Sequence, residues 1–167
     1  VPRVGPLESL GIRRVASSQY INVRPGRTLK SRLGDTSSMK SVLIGVGQAG
    51  GKLTRELVEY DDRMEFGAVR GAVGVNTAAA DLRGLPFETV LVGQDRVNGQ
   101  GVGGDNELGA EVMTSDAREV LSALDGRITA GTESIFVVAG LGGGTGSGGA
   151  PVLARELNRI YDVPVYG

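Results

Sequence analysis

The amino-acid sequence predicts an α/β fold, a parallel sheet with helices on both faces. Two observations carry that expectation. Short apolar runs that read as buried strands alternate with longer segments of helical period. Glycine-rich stretches follow three of those runs, so they gather at the strands' carboxyl ends, where such sheets bind ligands.

The elements follow in order. Residues 40–46 form a first strand around Val42-Leu43-Ile44. The next helix is expected to turn an apolar face of Leu53, Leu57 and Val58 inward and Glu56, Glu59 and Asp61 outward. A second strand covers 69–75 and ends in Asn76-Thr77, a pair that suits a helix cap. A third, Thr89-Val90-Leu91-Val92, runs into a loop with glycines at 93, 99, 101, 103 and 104. A helix from Glu107, with Asn106 and Glu107 near its cap, buries Leu108, Val112, Val120, Leu121 and Leu124 and stops near Gly126. The fourth strand is Ser134-Ile135-Phe136-Val137-Val138. A helix over 149–161 follows its loop, and a fifth strand emerges at 163–167.

The stretch from Ala139 to Pro151 is the most informative. Gly142, Gly143, Gly144, Thr145, Gly146 and Ser147 lie between a buried strand and an amphipathic helix. A helix start offers unpaired N–H groups and a positive dipole end, which attract phosphate. Glycines let backbone approach an anion and take positive φ where needed. Thr145 and Ser147 add hydroxyl donors, and Pro151 suits a first helical turn. A flexible linker of similar composition would not be clamped between two such elements.

Bulk properties remove whole classes of chemistry. The chain has 167 residues, 40% of them apolar, enough for one domain with a sizeable core. Cysteine and histidine are both absent. That excludes disulfides, thiol nucleophiles, Cys/His zinc sites and Ser-His-Asp triads within this chain. No apolar run approaches a membrane span. The net charge of −1 hides a split. Residues 1–38 carry seven basic against two acidic side chains, net +5, and the remainder 11 against 17, net −6. An acidic body argues against nucleic acid as a partner. Only three of 18 basic residues are lysines, a usage that fits a halophile or a high-GC genome. Residues 1–38 show no sustained period and are expected to be a disordered or non-native extension before Met39, in preference to a transit peptide or a partner-binding arm.

Two familiar nucleotide fingerprints fit poorly. Gly45-x-Gly47-x-x-Gly50 matches the dinucleotide pattern, but the second strand ends without the acid that would hold a ribose hydroxyl. A Walker A loop fails because Val46 stands at its first glycine and Leu53 follows Lys52.

Gly142-Gly143-Gly144-Thr145-Gly146-Ser147-Gly148 resembles the signature of the tubulin/FtsZ superfamily. Gly47, Gln48, Ala49 and Gly50 look like that family's first nucleotide loop. Asn76-Thr77 looks like the second, with Ala78 where FtsZ-like proteins carry Asp; Asp81 lies one turn further on. Gly101, Gly103 and Gly104 look like the third, near the γ-phosphate, which could order with triphosphate and loosen with diphosphate. Lys52 sits where relatives often carry an amide facing the base. The Gln-Ala-Gly-Gly-Lys and Asn-Thr-Ala-Ala-Ala-Asp runs look most like CetZ, the archaeal tubulin-like proteins.

The resemblance covers 39–167 and implies a partial, Rossmann-like nucleotide-binding domain, the front half of a tubulin/FtsZ GTPase domain that breaks off in its fifth strand. It implies a cytoplasmic cytoskeletal subunit that binds GTP/GDP with Mg²⁺ and forms head-to-tail protofilaments. It would hydrolyse GTP at the subunit contact, in cell shape or division. No catalytic residue or direct metal ligand is assigned within this chain, and the fragment alone is expected to be inactive. An NAD-binding module of an oxidoreductase or regulator is the alternative, but it leaves two glycine loops idle. A scaffold that binds partners without nucleotide is the third reading.

Overall fold

A computed structural model of the chain describes residues 38–167; the expected extension before Met39 lies almost wholly outside the described residues. Five parallel strands form one sheet: β1 (Ser41–Val46), β2 (Val69–Asn76), β3 (Glu88–Leu91), β4 (Ser134–Ala139) and β5 (Val165–Tyr166). Their spatial order is β3-β2-β1-β4-β5. The chain therefore steps one way from β1 to β3, then crosses back to β4 on the other side of β1. Right-handed crossovers in opposite directions place helices on opposite faces.

Helix α1 (Gly47–Met64) lies against β1, β2 and β4 on one face. Two short helices follow, α2 (Ala79–Leu82) and α3 (Gln94–Val97). On the other face are α4 (Asn106–Leu124) and α5 (Ala150–Ile160). There Val42, Ile44 and Val46 of β1 pack with Val112, Met113, Val120 and Leu124 of α4 and with Leu153 and Leu157 of α5. All nine are buried. On α4, Leu108 and Leu121 are only partly buried, while Met113, Ala117 and Gly109 complete the inward face.

The expected inward face of α1 is not the observed one. Leu53 and Leu57 are about half exposed, and the buried positions are Gly47, Gly50, Gly51, Thr54 and Asp61. Proximity explains it. A Cβ on Gly50 would lie 2.2 Å from the Val138 carbonyl oxygen, and one on Gly45 would lie 2.7 Å from Thr54 Oγ1. The helix sits too close to the sheet for leucine. Leu57 instead lines an outer apolar hollow with Tyr60 and Phe66, and Leu53 faces outward.

Asp61 is buried for a reason unrelated to amphipathicity. Its Oδ1 and Oδ2 accept the N–H groups of Ala68 and Val69 at 3.0 and 3.1 Å, tying the end of α1 to the start of β2. Helix α4 is capped by Asp105, whose side chain accepts from the Leu108 N–H; the cap falls one residue before the expected Asn106.

The tightest packing lies between α4 and the glycine loop. A Cβ on Gly148 would stand 1.8 Å from the Asn106 carbonyl oxygen, and one on Gly109 would stand 2.3 Å from that of Gly144. Gly148→Ala is therefore expected to destabilise the fold by about 2–3 kcal/mol, the usual scale of forced overpacking. Chemical denaturation checks this; an unchanged midpoint would show that the backbone yields freely there.

Candidate functional site

In the order β3-β2-β1-β4-β5, the strand sequence reverses between β1 and β4. Open α/β sheets bind ligands in the crevice at such a switch point, beyond the strands' carboxyl ends. A cavity of about 450 Å³ lies there, lined from the ends of β1, β2 and β4 and by the loop before α4.

Four segments build it. Gly47, Gln48 and Ala49 open α1; Asn76, Thr77, Ala78 and Asp81 follow β2; Gln100–Gly104 precede α4; Gly140 and Gly142–Gly146 follow β4. Of the fourteen residues expected at the site, the cavity wall omits two, Gly50 and Ser147. Gly50 is the close contact between α1 and β4. Ser147 donates its hydroxyl proton to the Leu141 carbonyl at 2.6 Å, which fastens the loop to itself.

Two helix starts meet at this cavity without capping side chains. At α1 the N-cap is Val46, no side chain bonds the first turn, and no acid lies in it. After β4 the chain enters a wide π-helical turn, Thr145–Gly149, that continues into α5; Gly144 stands at its cap position and again no side chain caps it. The helical run thus begins about four residues earlier than 149, inside the glycine signature. The first N–H groups of a helix lack partners within it, and the dipole there is positive. By contrast α4 is closed by Asp105, with Glu107 in its first turn. Pro151 sits in the first turn of α5, as expected.

Glycine serves different ends in these loops. None of the glycines from 140 to 149 has positive φ; of the two properties expected of that run, positive φ where needed and close backbone approach, these residues use the second, the absence of a Cβ. A Cβ on Gly144 would stand 2.5 Å from Val102 and one on Gly146 2.6 Å from the Gly140 carbonyl. Gly142 and Gly143 have nothing within 4 Å and leave open space at the cavity. Positive φ is required elsewhere, at Gly47 (74°) and at Gly101, Gly103 and Gly104 (83°, 58° and 87°).

The start of the third loop is tied to the second loop. Gly101 donates its N–H to Thr77 O at 3.0 Å, Ala79 donates to Gly99 O at 2.9 Å, and Ala78 and Gln100 form an antiparallel bridge. Part of the stretch expected as loop is helix α3. The second loop is tied to the glycine signature as well, because the buried hydroxyls of Thr77 and Thr145 lie 2.7 Å apart. One proton is used between them, so one hydroxyl donor of that pair remains.

Asp81 and Thr77 carry more of the site than sequence reasoning assigned them. Gln48 Nε2 donates to Asp81 Oδ1 at 2.8 Å, and Asn76 Nδ2 donates to Asp81 Oδ2 at 3.1 Å. Asn76 Oδ1 accepts the N–H groups of Thr77 and Ala78, the local turn that a cap-like Asn suggests. Lys52 is exposed and does not reach the cavity wall.

The tubulin/FtsZ family, GTPase domain, matches residues 40–167. The chain belongs to this family. CetZ2 of Haloferax volcanii is 73% identical over 128 residues, which span 77% of this chain and 36% of that protein. Two solved structures superpose closely. The CetZ2 GTPγS-bound protofilament does so with a TM-score of 0.76, covering 77% of this chain and 38% of that one. The GDP-bound CetZ1 monomer of the same organism does so with a TM-score of 0.75 at 56% identity, covering 77% and 40%. The chain thus spans little more than a third of the relatives' length. No helix among the described residues is long and apolar enough to cross a membrane.

The hydroxyl pair gives a test of loop coupling. Thr77→Val and Thr145→Val are each expected to cost about 1–2 kcal/mol, because each leaves a buried hydroxyl or its space unsatisfied. A double-mutant cycle by denaturation should show about 1 kcal/mol of coupling. Simple additivity would mean that the two loops are not joined through this bond.

Proposed function

We propose that this chain is the front part of the nucleotide-binding domain of a CetZ-like cytoskeletal GTPase, with residues 39–167 as the partial domain. The observation that carries the reading is the meeting of two uncapped helix starts, at Gly47 and Gly144, on one cavity at the sheet's switch point. Unpartnered N–H groups and two positive dipole ends favour a polyphosphate. Gly142–Thr145 would cradle phosphates, Gly47–Ala49 would add contacts, and Gly101, Gly103 and Gly104 would lie beside the terminal phosphate. Gly50, Gly146 and Ser147 would act by holding the loops in place.

GTP and GDP are the ligands we infer, with Mg²⁺ as counterion. The donors fit a hard cation bound chiefly through phosphate: the wall offers one carboxylate and amide oxygens, and among the described residues no group of three acids converges. When bound, the ion would neutralise phosphate charge. What this chain supplies is orientation and fixed dipoles in a shaped cavity, the main currency of phosphoryl-transfer sites.

The complete protein would assemble head to tail and hydrolyse GTP where subunits meet, in the cytoplasm, in cell shape or division. Residues 39–167 alone would not turn GTP over. The NAD-binding reading is not favoured: β2 ends in Asn76, and the single acid near it, Asp81, is already held by Gln48 and Asn76.

Two outcomes are expected for the complete gene product in calorimetric titration. GTP binds and NADH does not; the reverse would overturn the reading. Gly143→Ala, which meets no neighbour, leaves stability within about 1 kcal/mol of wild type and weakens GTP binding about tenfold, the scale of one lost charge-assisted contact. Unaltered affinity would remove the glycine signature from the phosphate site.

A further inference from the structure

We propose that the side-chain amide of Gln100 bonds the last phosphate of the bound nucleotide and gives the site a preference for triphosphate over diphosphate. The inference rests on the nucleotide reading above and adds to it one side chain, where that reading uses backbone alone.

Among the described residues six polar side chains belong to the cavity wall: Gln48, Asn76, Thr77, Asp81, Gln100 and Thr145. Five of them are occupied with one another. Asp81 accepts from Gln48 and Asn76, and the hydroxyls of Thr77 and Thr145 share a bond. The amide of Gln100 bonds none of these and no other described residue. Its backbone is the opposite case. Gln100 donates its N–H to Val97 O at 2.8 Å and bridges to Ala78. On either side, Gly99 O accepts from Ala79 and the Gly101 N–H goes to Thr77 O. Both flanking glycines have positive φ, 71° and 83°, so larger residues would strain the turn. The Cα of Gln100 is thus held at the wall while its exposed side chain is left free.

A carboxamide carries two N–H donors. On this wall Gln100 is the one side chain whose donors are not already aimed at another residue, and no lysine or arginine among the described residues competes for the anion. Fixing the Cα limits where the amide can reach, so less freedom is lost when it binds. Its place decides which phosphate it meets. The two helix starts attract any phosphate and do not count them. Gln100 directly precedes Gly101 in the third loop, the segment set beside the terminal phosphate in the reading above. Its amide is satisfied only when that last phosphate is present. The competing role for Gln100 is that of an exposed side chain that stays in water and touches no ligand.

Affinity for two nucleotides separates the two roles. The complete gene product, kept too dilute to self-associate, is titrated with GTPγS and with GDP as wild type, Gln100→Ala and Gln100→Glu. Gln100→Ala is expected to bind GTPγS about fivefold more weakly and GDP within about twofold of wild type, the scale of one hydrogen bond made by the last phosphate only. Gln100→Glu weakens GTPγS further than Gln100→Ala does, because it sets a carboxylate against that phosphate. The unfolding midpoint of Gln100→Ala stays at the wild-type value, since the side chain has no partner to lose. Unchanged affinity for both nucleotides would leave Gln100 a solvated surface residue and overturn the proposal. Equal losses for GTPγS and GDP, or a lowered midpoint, would make it a support of the loop and overturn the proposal too. No binding of either nucleotide to wild type would instead overturn the nucleotide reading, and this inference with it.

Discussion

The architecture depends on one close approach, the backbone of the glycine signature lying directly on the first turns of α4. Between Gly144 and Gly148 on one side and Asn106, Gly109 and Ala110 on the other there is no room for a Cβ. That contact fixes where the π-helical turn begins. It thereby aims the start of the α5 helical run at the switch point, beside the start of α1. It also brings Thr145 within reach of Thr77 and so joins the loop after β4 to the loop after β2. Removing the glycines would separate the parts of the cavity before it touched any ligand.

The cavity's electrostatics follow from that arrangement. Among the described residues its wall carries no lysine or arginine, so the attraction they offer an anion comes from N–H groups and aligned peptide dipoles. Such groups are already oriented before a ligand arrives and need little reorganisation. Among the described residues the one formal charge on the wall is negative, the Asp81 carboxylate, which accepts hydrogen bonds from two amides. Among the described residues, the wall thus sets backbone dipoles that favour an anion beside one carboxylate that does not.

Much of this was legible in the sequence, for identifiable reasons. Parallel strands buried on both faces read as apolar runs, so β1 to β4 fell within about a residue of their expected bounds. Glycine runs at strand ends marked the cavity, because close backbone approach leaves glycine few substitutes. The face of α1 was not legible. A helix packed this tightly buries Gly50, Gly51 and Thr54, whereas hydrophobic periodicity pointed to Leu53 and Leu57. The reason for each glycine was also hidden, since sequence does not separate a positive φ at Gly47 from a missing Cβ at Gly148. Asp81 stood out only as an acid one turn beyond Ala78; its grip on Gln48 needs two loops folded together.

The most direct test of the account is a crystal structure of the complete gene product grown with GTPγS and Mg²⁺. The account predicts phosphates against the backbone N–H groups of Gly142–Thr145 and the start of α1. A nucleotide bound elsewhere, or phosphates held by lysine or arginine side chains away from both helix starts, would contradict it.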